Sequence, residues 1–324
     1  GNAGPDFKHG YGRINALRAV EAIQDHQHYT DSIIQGATDT IQIPIGSNLA
    51  ELRVMVYWTD PEANVLASRA LINNLDFTLY GPSSSSWKPW VLNPTPNAAL
   101  LNAPAVRTTD TLNNAEQVTI TNPVSGDYNV VITGTSIPTG PQKYYVVYTL
   151  VENEIKVTHP IGGEHFTPGQ QEIIRWDAPA GTGNFTIESS TNNGSTWSTI
   201  TTAVPSSQRH YLWTVPSTVT GQAKIRVSRG TKNSISEAPY SIIGTPSNLN
   251  IVWACPDSML FTWNTVAGAT GYEVSRLGAK YMDSVGVTST NQFKFMGIDP
   301  SKTYWISVRA IGPNGCVGER AVAI

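Results

Sequence analysis

The chain of 324 residues has few charged side chains, few cysteines and few histidines. Lys, Arg, Asp and Glu make up 14% of it, against roughly 25% in an average globular protein. The formal net charge is −3, and without a basic excess the composition argues against nucleic-acid binding. No run of about 18 apolar residues is present, so we expect no insertion into a membrane. Two cysteines and six histidines, none in an H-E-x-x-H arrangement, exclude a cysteine-rich zinc site and a dense disulfide framework.

The residues that are abundant indicate an extended, mostly β protein. Glycine (27), proline (21) and a 9% aromatic content fit many short strands joined by turns. One helix is predicted over 15–26, where Asn15 can cap the first turn. Its apolar positions fall on one stripe at helical spacing: Ala16, Leu17, Val20 and Ile23.

After His28 the apolar pattern changes to period two, which predicts three antiparallel β-sandwiches in a row. Residues 29–152 read as a jelly-roll-like sandwich, in which 81–115 form a long loop or edge excursion. Residues 153–244 read as an immunoglobulin-like sandwich and 245–324 as a fibronectin type III-like one. The aromatic residues expected in the last two cores are Trp176, Trp213, Trp263, Tyr272 and Tyr304.

Residues 1–28 contain a short, dense set of motifs. These are Gly4-Pro5-Asp6, Gly10-Tyr11-Gly12-Arg13-Ile14-Asn15-Ala16 and Ala19-Val20. The set resembles the end of the catalytic domain of subtilisin-like serine proteases, where a similar stretch follows the catalytic serine and leads into the last helix. The resemblance implies that 1–28 are a remnant of such a domain.

The jelly-roll-like region extends the resemblance. Its motifs are Val56-Tyr57-Trp58-Thr59-Asp60-Pro61, Leu71-Ile72-Asn73-Asn74-Leu75-Asp76-Phe77, Asn113-Asn114-Ala115-Glu116-Gln117-Val118, Ser125-Gly126-Asp127-Tyr128 and Gly140-Pro141-Gln142. They resemble the sandwich fused to many secreted subtilases, which is similar to the P-domain of proprotein convertases. One departure is that Asn74-Leu75-Asp76-Phe77 stands where the family has Asp-Leu-Asp-Leu, so a carboxylate is missing. The last region resembles a fibronectin type III domain, and the middle one resembles immunoglobulin-type modules of bacterial surfaces.

The sequence predicts no catalytic triad of its own. Gly134-Thr135-Ser136 is superficially similar to the subtilase nucleophile motif. The enzyme motif continues into a helix, whereas Pro138 and Gly140-Pro141 forbid one here. A His-Gly-Thr motif is absent. We therefore expect the aspartate, histidine and serine of the parent enzyme to precede Gly1.

Calcium is the one ion that the polar motif residues suggest. Calcium takes about six to eight oxygen ligands, and Asp60, Asn74, Asp76 and Glu116 lie in the family-like segments. They could converge near one end of the sandwich. The alternative, which we favour, is that these groups cap turns by hydrogen bonds to the backbone.

Other single residues admit two interpretations. Trp87 and Trp90 could stack on sugars or a partner, but plugging the mouth of the sandwich is favoured. His9, His26 and His28 are interpreted as capping or exposed residues rather than metal ligands. Cys255 and Cys316 are expected at opposite ends of the last sandwich, too far apart for a disulfide.

We therefore expect the chain to be the non-catalytic C-terminal region of a secreted subtilisin-like serine endopeptidase. The first sandwich would brace the upstream catalytic domain, its missing partner. The two later modules would be spacers, or would bind a cell surface or polysaccharide. The alternative is an extracellular adhesin or carbohydrate-binding protein with no protease activity.

Overall fold

The structure is a computed structural model that describes residues 4–12 and 14–324. Arg13, which belongs to the subtilase-like motif, lies outside the described residues. The chain divides into two compact units, Gly1–Asn153 and Glu154–Ile324. Both units are built mostly from strands, which confirms the predicted fold class. Within the described residues, no helix is long and apolar enough to cross a membrane.

The predicted helix is present as α1, Ala16–Gln24. The Asn15 side chain accepts a hydrogen bond from the Arg18 backbone N–H at 3.1 Å, so Asn15 is the N-cap that the sequence predicts. At the other end His26 has a left-handed backbone, with φ +54°. The N–H groups of His26 and Gln27 donate to the carbonyls of Ile23 (3.2 Å) and Ala22 (2.8 Å). This pair of bonds is a Schellman motif, which ends the helix and turns the chain into the first strand.

Ten strands and a second, four-residue helix complete the first unit. The strands are β1 His28–Ile33, β2 Thr38–Ile45, β3 Leu49–Trp58, β4 Asn74–Tyr80, β5 Ser86–Trp87, β6 Trp90–Val91, β7 Val106–Arg107, β8 Ala115–Thr121, β9 Gly126–Ser136 and β10 Gln142–Glu152. Helix α2 is Ala98–Leu101, and a 3₁₀ turn covers Pro82–Ser84. The stretch 81–115, predicted as a loop or edge excursion, thus contains α2, the 3₁₀ turn and the two-residue strands β5, β6 and β7.

Two four-stranded sheets of the first unit enclose one hydrophobic core. Their orders are β1-β10-β3-β8 and β2-β9-β4-β5, and all the pairings are antiparallel. The chain crosses between the sheets at nearly every connection, which is the strand order of a jelly roll. The alternation seen in the sequence is the cause, because Leu52, Val54, Val56 and Trp58 all point from β3 into the core.

The second unit contains two sandwiches. In the first, the strands are β11 Lys156–His159, β12 His165–Phe166, β13 Gln171–Asp177, β14 Phe185–Ser190, β15 Ser198–Val204, β16 His210–Thr214, β17 Thr220–Arg229, β18 Lys232–Ile235 and β19 Tyr240–Ile242. One sheet is β11-β13-β16, and the other is β12-β19-β17-β14-β15 with β18 paired to β17. Trp176 and Trp213 are buried in the core, as the sequence predicts. The β12–β19 pair is parallel, unlike the other pairings of this sandwich.

The second sandwich of this unit has β20 Asn250–Cys255, β21 Ser258–Thr262, β22 Gly271–Leu277, β23 Met282–Thr288, β24 Gln292–Met296, β25 Ile306–Ile311 and β26 Val317–Arg320. Its sheets, β20-β21-β24 and β23-β22-β25-β26, are the three- and four-stranded layers of a fibronectin type III-like sandwich. Trp263 and Tyr272 are buried in its core, and Tyr304 packs against it partly buried.

Residues 244–247 join two sandwiches that are packed together. Ile243 belongs to the core of the second sandwich. The Ser241 hydroxyl accepts a hydrogen bond from the Val317 backbone N–H at 3.2 Å. A Cβ on Gly221 would lie 2.6 Å from the Asn314 carbonyl oxygen, so the two backbones meet where glycine leaves room.

Candidate functional site

The segment before α1 is anchored on the jelly roll of the first unit. Pro5 is buried, and a Cβ on Gly4 would lie 2.7 Å from Cγ of Trp90. The Tyr11 hydroxyl donates to the Ala115 carbonyl at 3.0 Å. Desolvation of its hydroxyl, with the charges of Asp110 and Glu116, raises the pKa of Tyr11, although the residue as a whole is exposed. These contacts hold residues 4–11 against the sandwich although they form no strand of it.

The same segment and the helix leave several large apolar side chains in solvent. Phe7, Tyr11, Ile14, Val20 and Ile23 are all exposed, Ile14 by 89% and Ile23 by 66%. The side chain that α1 buries is Ala22, whereas Leu17 of the predicted stripe is half-buried. The predicted stripe is therefore not the face that the helix buries, and Ala16, Val20 and Ile23 of it are exposed.

A groove of about 620 Å³ runs between α1 and the outer face of the β1-β10-β3-β8 sheet. Its apolar lining comes from the helix, from the edge strand β1 and from the neighbouring strand β10: Ala19, Ala22, Ile23, Tyr29, Tyr145 and Val147. Tyr57 of β3 lies in register with Tyr145 and continues the apolar surface, with the ring centroids 6.4 Å apart. We call this groove and the exposed side chains of residues 7–23 the docking face. Its chemistry suits a protein surface rather than a polar substrate.

The histidines near this face have structural contacts. His9 lies three residues after Asp6, with its Nδ1 3.1 Å from a carboxylate oxygen. The Asp6 carboxylate also accepts the backbone N–H groups of His9 (2.7 Å) and Lys8 (2.8 Å). The bond from the His9 backbone is the main cause that lowers the pKa of Asp6. His26 ends the helix, and its ring is 6.3 Å from that of His28.

The four predicted calcium ligands lie at one end of the jelly roll. The Asp60 carboxylate accepts the backbone N–H groups of Ile72 and Asn73, each at 2.7 Å. It therefore caps the turn that leads into β4. Asn74 and Asp76 follow on β4, with the Asn74 amide nitrogen 3.4 Å from the Asp76 carboxylate. The other Asp76 oxygen accepts the hydroxyl of Thr135.

Glu116 is a carboxyl group buried between the two sheets. It comes from β8, is 1% exposed, and accepts the backbone N–H of Phe77 on β4 at 3.0 Å. Its other oxygen, Oε1, is buried with no hydrogen-bond partner, and so is Oδ1 of Asn74. Burial raises the pKa of Glu116 to about 9, helped by the charges of Asp110 and Asp76. A carboxyl group with this pKa carries a proton at neutral pH.

These residues offer calcium an incomplete set of ligands. Asn74 and Glu116 contribute two free oxygens, where calcium needs about six to eight, and the Asp60 oxygens already accept backbone hydrogen bonds. Within residues 4–12 and 14–324, no three His, Cys, Asp or Glu side chains form a group that could hold a metal ion. Calcium binding stays a prediction, which calorimetry of a calcium titration would test.

Sequence reasoning missed the residues that surround this cluster. Asp110 is buried and accepts the backbone N–H groups of Leu112 (2.8 Å) and Asn113 (3.2 Å). Asn73 is buried too, and its amide donates to the Gln142 side chain at 2.7 Å. Both Asn73 and Gln142 lie in the family-like motifs given above, and membership of those motifs could have marked them as candidates. Asp110 lies in a loop outside them.

The two loop tryptophans line a second cavity of about 490 Å³. We call it the tryptophan cleft, and the residues that define it are Ser83, Trp87, Trp90, Arg107, Thr119 and Asn122. Trp90 donates its indole N–H to the Thr119 hydroxyl at 2.8 Å, and the Arg107 guanidinium lies over its ring at 4.0 Å. The Trp87 ring stacks on buried Tyr128, with centroids 6.0 Å apart. Both tryptophan rings are half-buried, and Trp87 also packs against the hydrophobic core of the jelly roll.

Ser136 and the cysteines agree with the sequence interpretation. Ser136 is the last residue of β9 and lies in register opposite Asn74, so it starts no helix. Cys255 is exposed at the end of β20, Cys316 is buried, and both are free thiols.

Comparisons with known proteins find one short sequence match and several solved structures that resemble this chain. No family model matches the chain. A serine protease/ABC transporter B family protein, tagB, of Dictyostelium discoideum is 35% identical over 91 residues, or 28% of this chain. The match spans only 5% of that protein's length.

Solved structures with similar folds contain fibronectin type III domains. A two-domain segment of chicken tenascin covers 52% of this chain and 95% of its own, at 12% identity and a TM-score of 0.34. The chicken CNTN1 FN1–FN3 domains cover 92% of this chain and 95% of their own, at 11% identity and a TM-score of 0.24. With scores this low, the sandwich assignment depends on the strand orders described above.

Proposed function

We propose that this chain is the non-catalytic C-terminal region of a secreted subtilisin-like serine endopeptidase. Residues 1–28 would be the end of the catalytic domain, and the jelly roll would brace that domain through the docking face. The two sandwiches of the second unit would act as spacers or surface-binding modules. The observation that carries the proposal is the set of exposed apolar side chains, Phe7, Tyr11, Ile14, Val20 and Ile23, next to an apolar groove.

Burial explains why such a set needs a partner. Fully burying a side chain of this size stabilises a protein by roughly 1.5–3 kcal/mol. Val20 and Ile23 obtain little of this in the first unit, since each is more than half exposed. In a subtilase, the body of the catalytic domain would cover them. The motifs of residues 4–20 and the serine protease name of the tagB relative support this assignment.

The direct test is the coding sequence upstream of Gly1. The proposal expects Asp-x-Gly, His-Gly-Thr and Gly-Thr-Ser-x-Ala motifs there, in that order. A start codon and signal peptide immediately upstream would contradict it and would favour the adhesin alternative.

A second test measures how the docking face affects the thermal stability of peptidase activity in the full-length protein. Val20→Asp combined with Ile23→Asp places two charges where the catalytic domain is expected to pack. We expect faster thermal inactivation of peptidase activity. Val65→Asp is the matched control, because Val65 is 93% exposed in a loop of the same unit. Equal inactivation rates for the double variant and the control would contradict the docking role.

The alternative function, carbohydrate binding without a protease, is favoured by one observation. The tryptophan cleft combines aromatic rings with polar groups, a composition that sugar-binding sites share. That cleft is a separate feature from the docking face, and one chain can contain both.

A further inference from the structure

We propose that the tryptophan cleft binds an acidic oligosaccharide, with Trp87 stacking on a sugar ring and Arg107 binding a sugar carboxylate. The proposal depends on the geometry of the first unit alone. It does not depend on the protease origin of the chain, so a negative result here would leave that origin untouched.

Trp87 provides a rigid aromatic platform. Tyr128 is buried behind it, stacked at an interplanar angle of 23°, and its hydroxyl donates to the Val124 carbonyl at 3.1 Å. A Cβ on Gly81 would lie 2.7 Å from the Tyr128 ring and 2.8 Å from the Trp87 ring. Glycine at this position lets both rings approach the backbone. A platform fixed in this way loses little side-chain entropy when a ligand stacks on it.

Arg107 provides an uncompensated positive charge beside this platform. Its guanidinium donates to the carbonyls of Lys88 (3.0 Å) and Thr119, which fix its orientation against Trp90. In the described part of the chain, no carboxylate forms an ion pair with it. None of the residues that line the cleft is Asp or Glu. A half-buried cation of this kind favours a ligand that supplies the missing carboxylate.

Hydroxyl and amide groups complete the rim. The Thr119 hydroxyl accepts from Trp90, so its own proton can be donated to a ligand. Ser83 and Asn122 are exposed at the mouth and have left-handed backbones, with φ of 59° and 48°. The volume of about 490 Å³ lies within the usual range of ligand pockets. A platform, a cation and several small polar groups fit the apolar face, the acid group and the hydroxyls of a uronate chain.

The test is calorimetric titration of the whole chain with tetragalacturonate and with a neutral galactose tetramer. We expect saturable binding of the acidic oligomer, at least about tenfold tighter than the neutral one, since a charge-assisted hydrogen bond is worth about that factor. Polyglutamate of similar charge should not bind. No binding of tetragalacturonate, or equal binding of polyglutamate, would overturn the proposal.

Single substitutions test whether the oligosaccharide binds in the tryptophan cleft. Trp87→Ala and Arg107→Gln should each reduce tetragalacturonate affinity by about tenfold or more, and Arg107→Lys should retain part of it. Trp305→Ala is the matched control, since Trp305 is an exposed tryptophan of the second unit. Thr121→Trp adds bulk at the exposed rim without removing a core contact, and should also block binding. Unchanged affinity in folded Trp87→Ala and Thr121→Trp proteins would place the binding elsewhere and refute the assignment.

Discussion

Replacing the buried Glu116 by glutamine tests the chemistry of the acidic cluster. Glutamine has nearly the same shape, cannot ionise, and can still accept the Phe77 N–H through its amide oxygen. In the wild-type protein burial raises the pKa of Glu116 to about 9, above the ordinary value of 4.5. Between pH 4.5 and about 9, Glu116 therefore keeps its proton in the folded protein and releases it in the unfolded chain.

The size of the effect follows from this difference in pKa. The stabilising contribution is complete below pH 4.5 and is lost progressively as the pH rises towards about 9. Each pH unit in that window costs about 1.4 kcal/mol. At about pH 7 the wild-type protein has lost roughly 3 kcal/mol. Glu116→Gln should lose none of it, and so should be the more stable protein at neutral pH.

The assay is denaturant unfolding of both proteins, followed by tryptophan fluorescence between about pH 5 and about pH 8.5. The free energy of unfolding of Glu116→Gln minus that of the wild type should grow with pH. The control is Glu62→Gln, which removes an exposed carboxyl group of the same unit by the same substitution.

Two results would refute this reasoning. One is a difference between Glu116→Gln and wild type that does not change with pH. The other is a destabilised Glu116→Gln protein together with a wild-type melting temperature that rises with added calcium. The second result would show that Glu116 is ionised and binds a cation, as the calcium prediction requires.

Three further predictions concern other parts of the chain. Gly221→Ala should destabilise the second unit by about 1–3 kcal/mol, because its Cβ would clash with the Asn314 carbonyl; thermal melting checks this. His26→Gly should raise the stability of the first unit by about 1 kcal/mol in denaturant unfolding, since glycine adopts the left-handed C′ conformation without strain. A maleimide should label Cys255 in the folded chain and Cys316 only after unfolding, because Cys316 is fully buried; mass spectrometry reads out both sites.

The fold could be predicted from sequence where one periodicity dominates. The alternation of β3 and the Asn15 cap needed no tertiary information, because each depends on neighbours within a few residues. The short strands β5, β6 and β7 could not be predicted, since two-residue pairings carry no period. The parallel β12–β19 pair joins segments far apart in the chain and has no local signal either.

For the candidate sites, too, some features could be predicted from the sequence and others could not. The motif residues Asp60, Asn74, Asp76 and Glu116 could be selected from the sequence, yet their environments could not. Glu116 lies on the same face of β8 as Val118 and Ile120, as a core position would, but its cross-sheet bond to Phe77 depends on how the sheets pack. The exposure of Val20 and Ile23 also depends on packing, because a helical stripe does not say which surface it meets.

The most direct test of the protease origin is labelling the full-length protein with a fluorophosphonate, which reacts covalently with an activated serine. Peptide mapping by mass spectrometry then identifies the modified residue. The account predicts one labelled serine, upstream of Gly1, and no label within residues 1–324. A label on Ser136, or no labelled serine anywhere in the full-length protein, would contradict it.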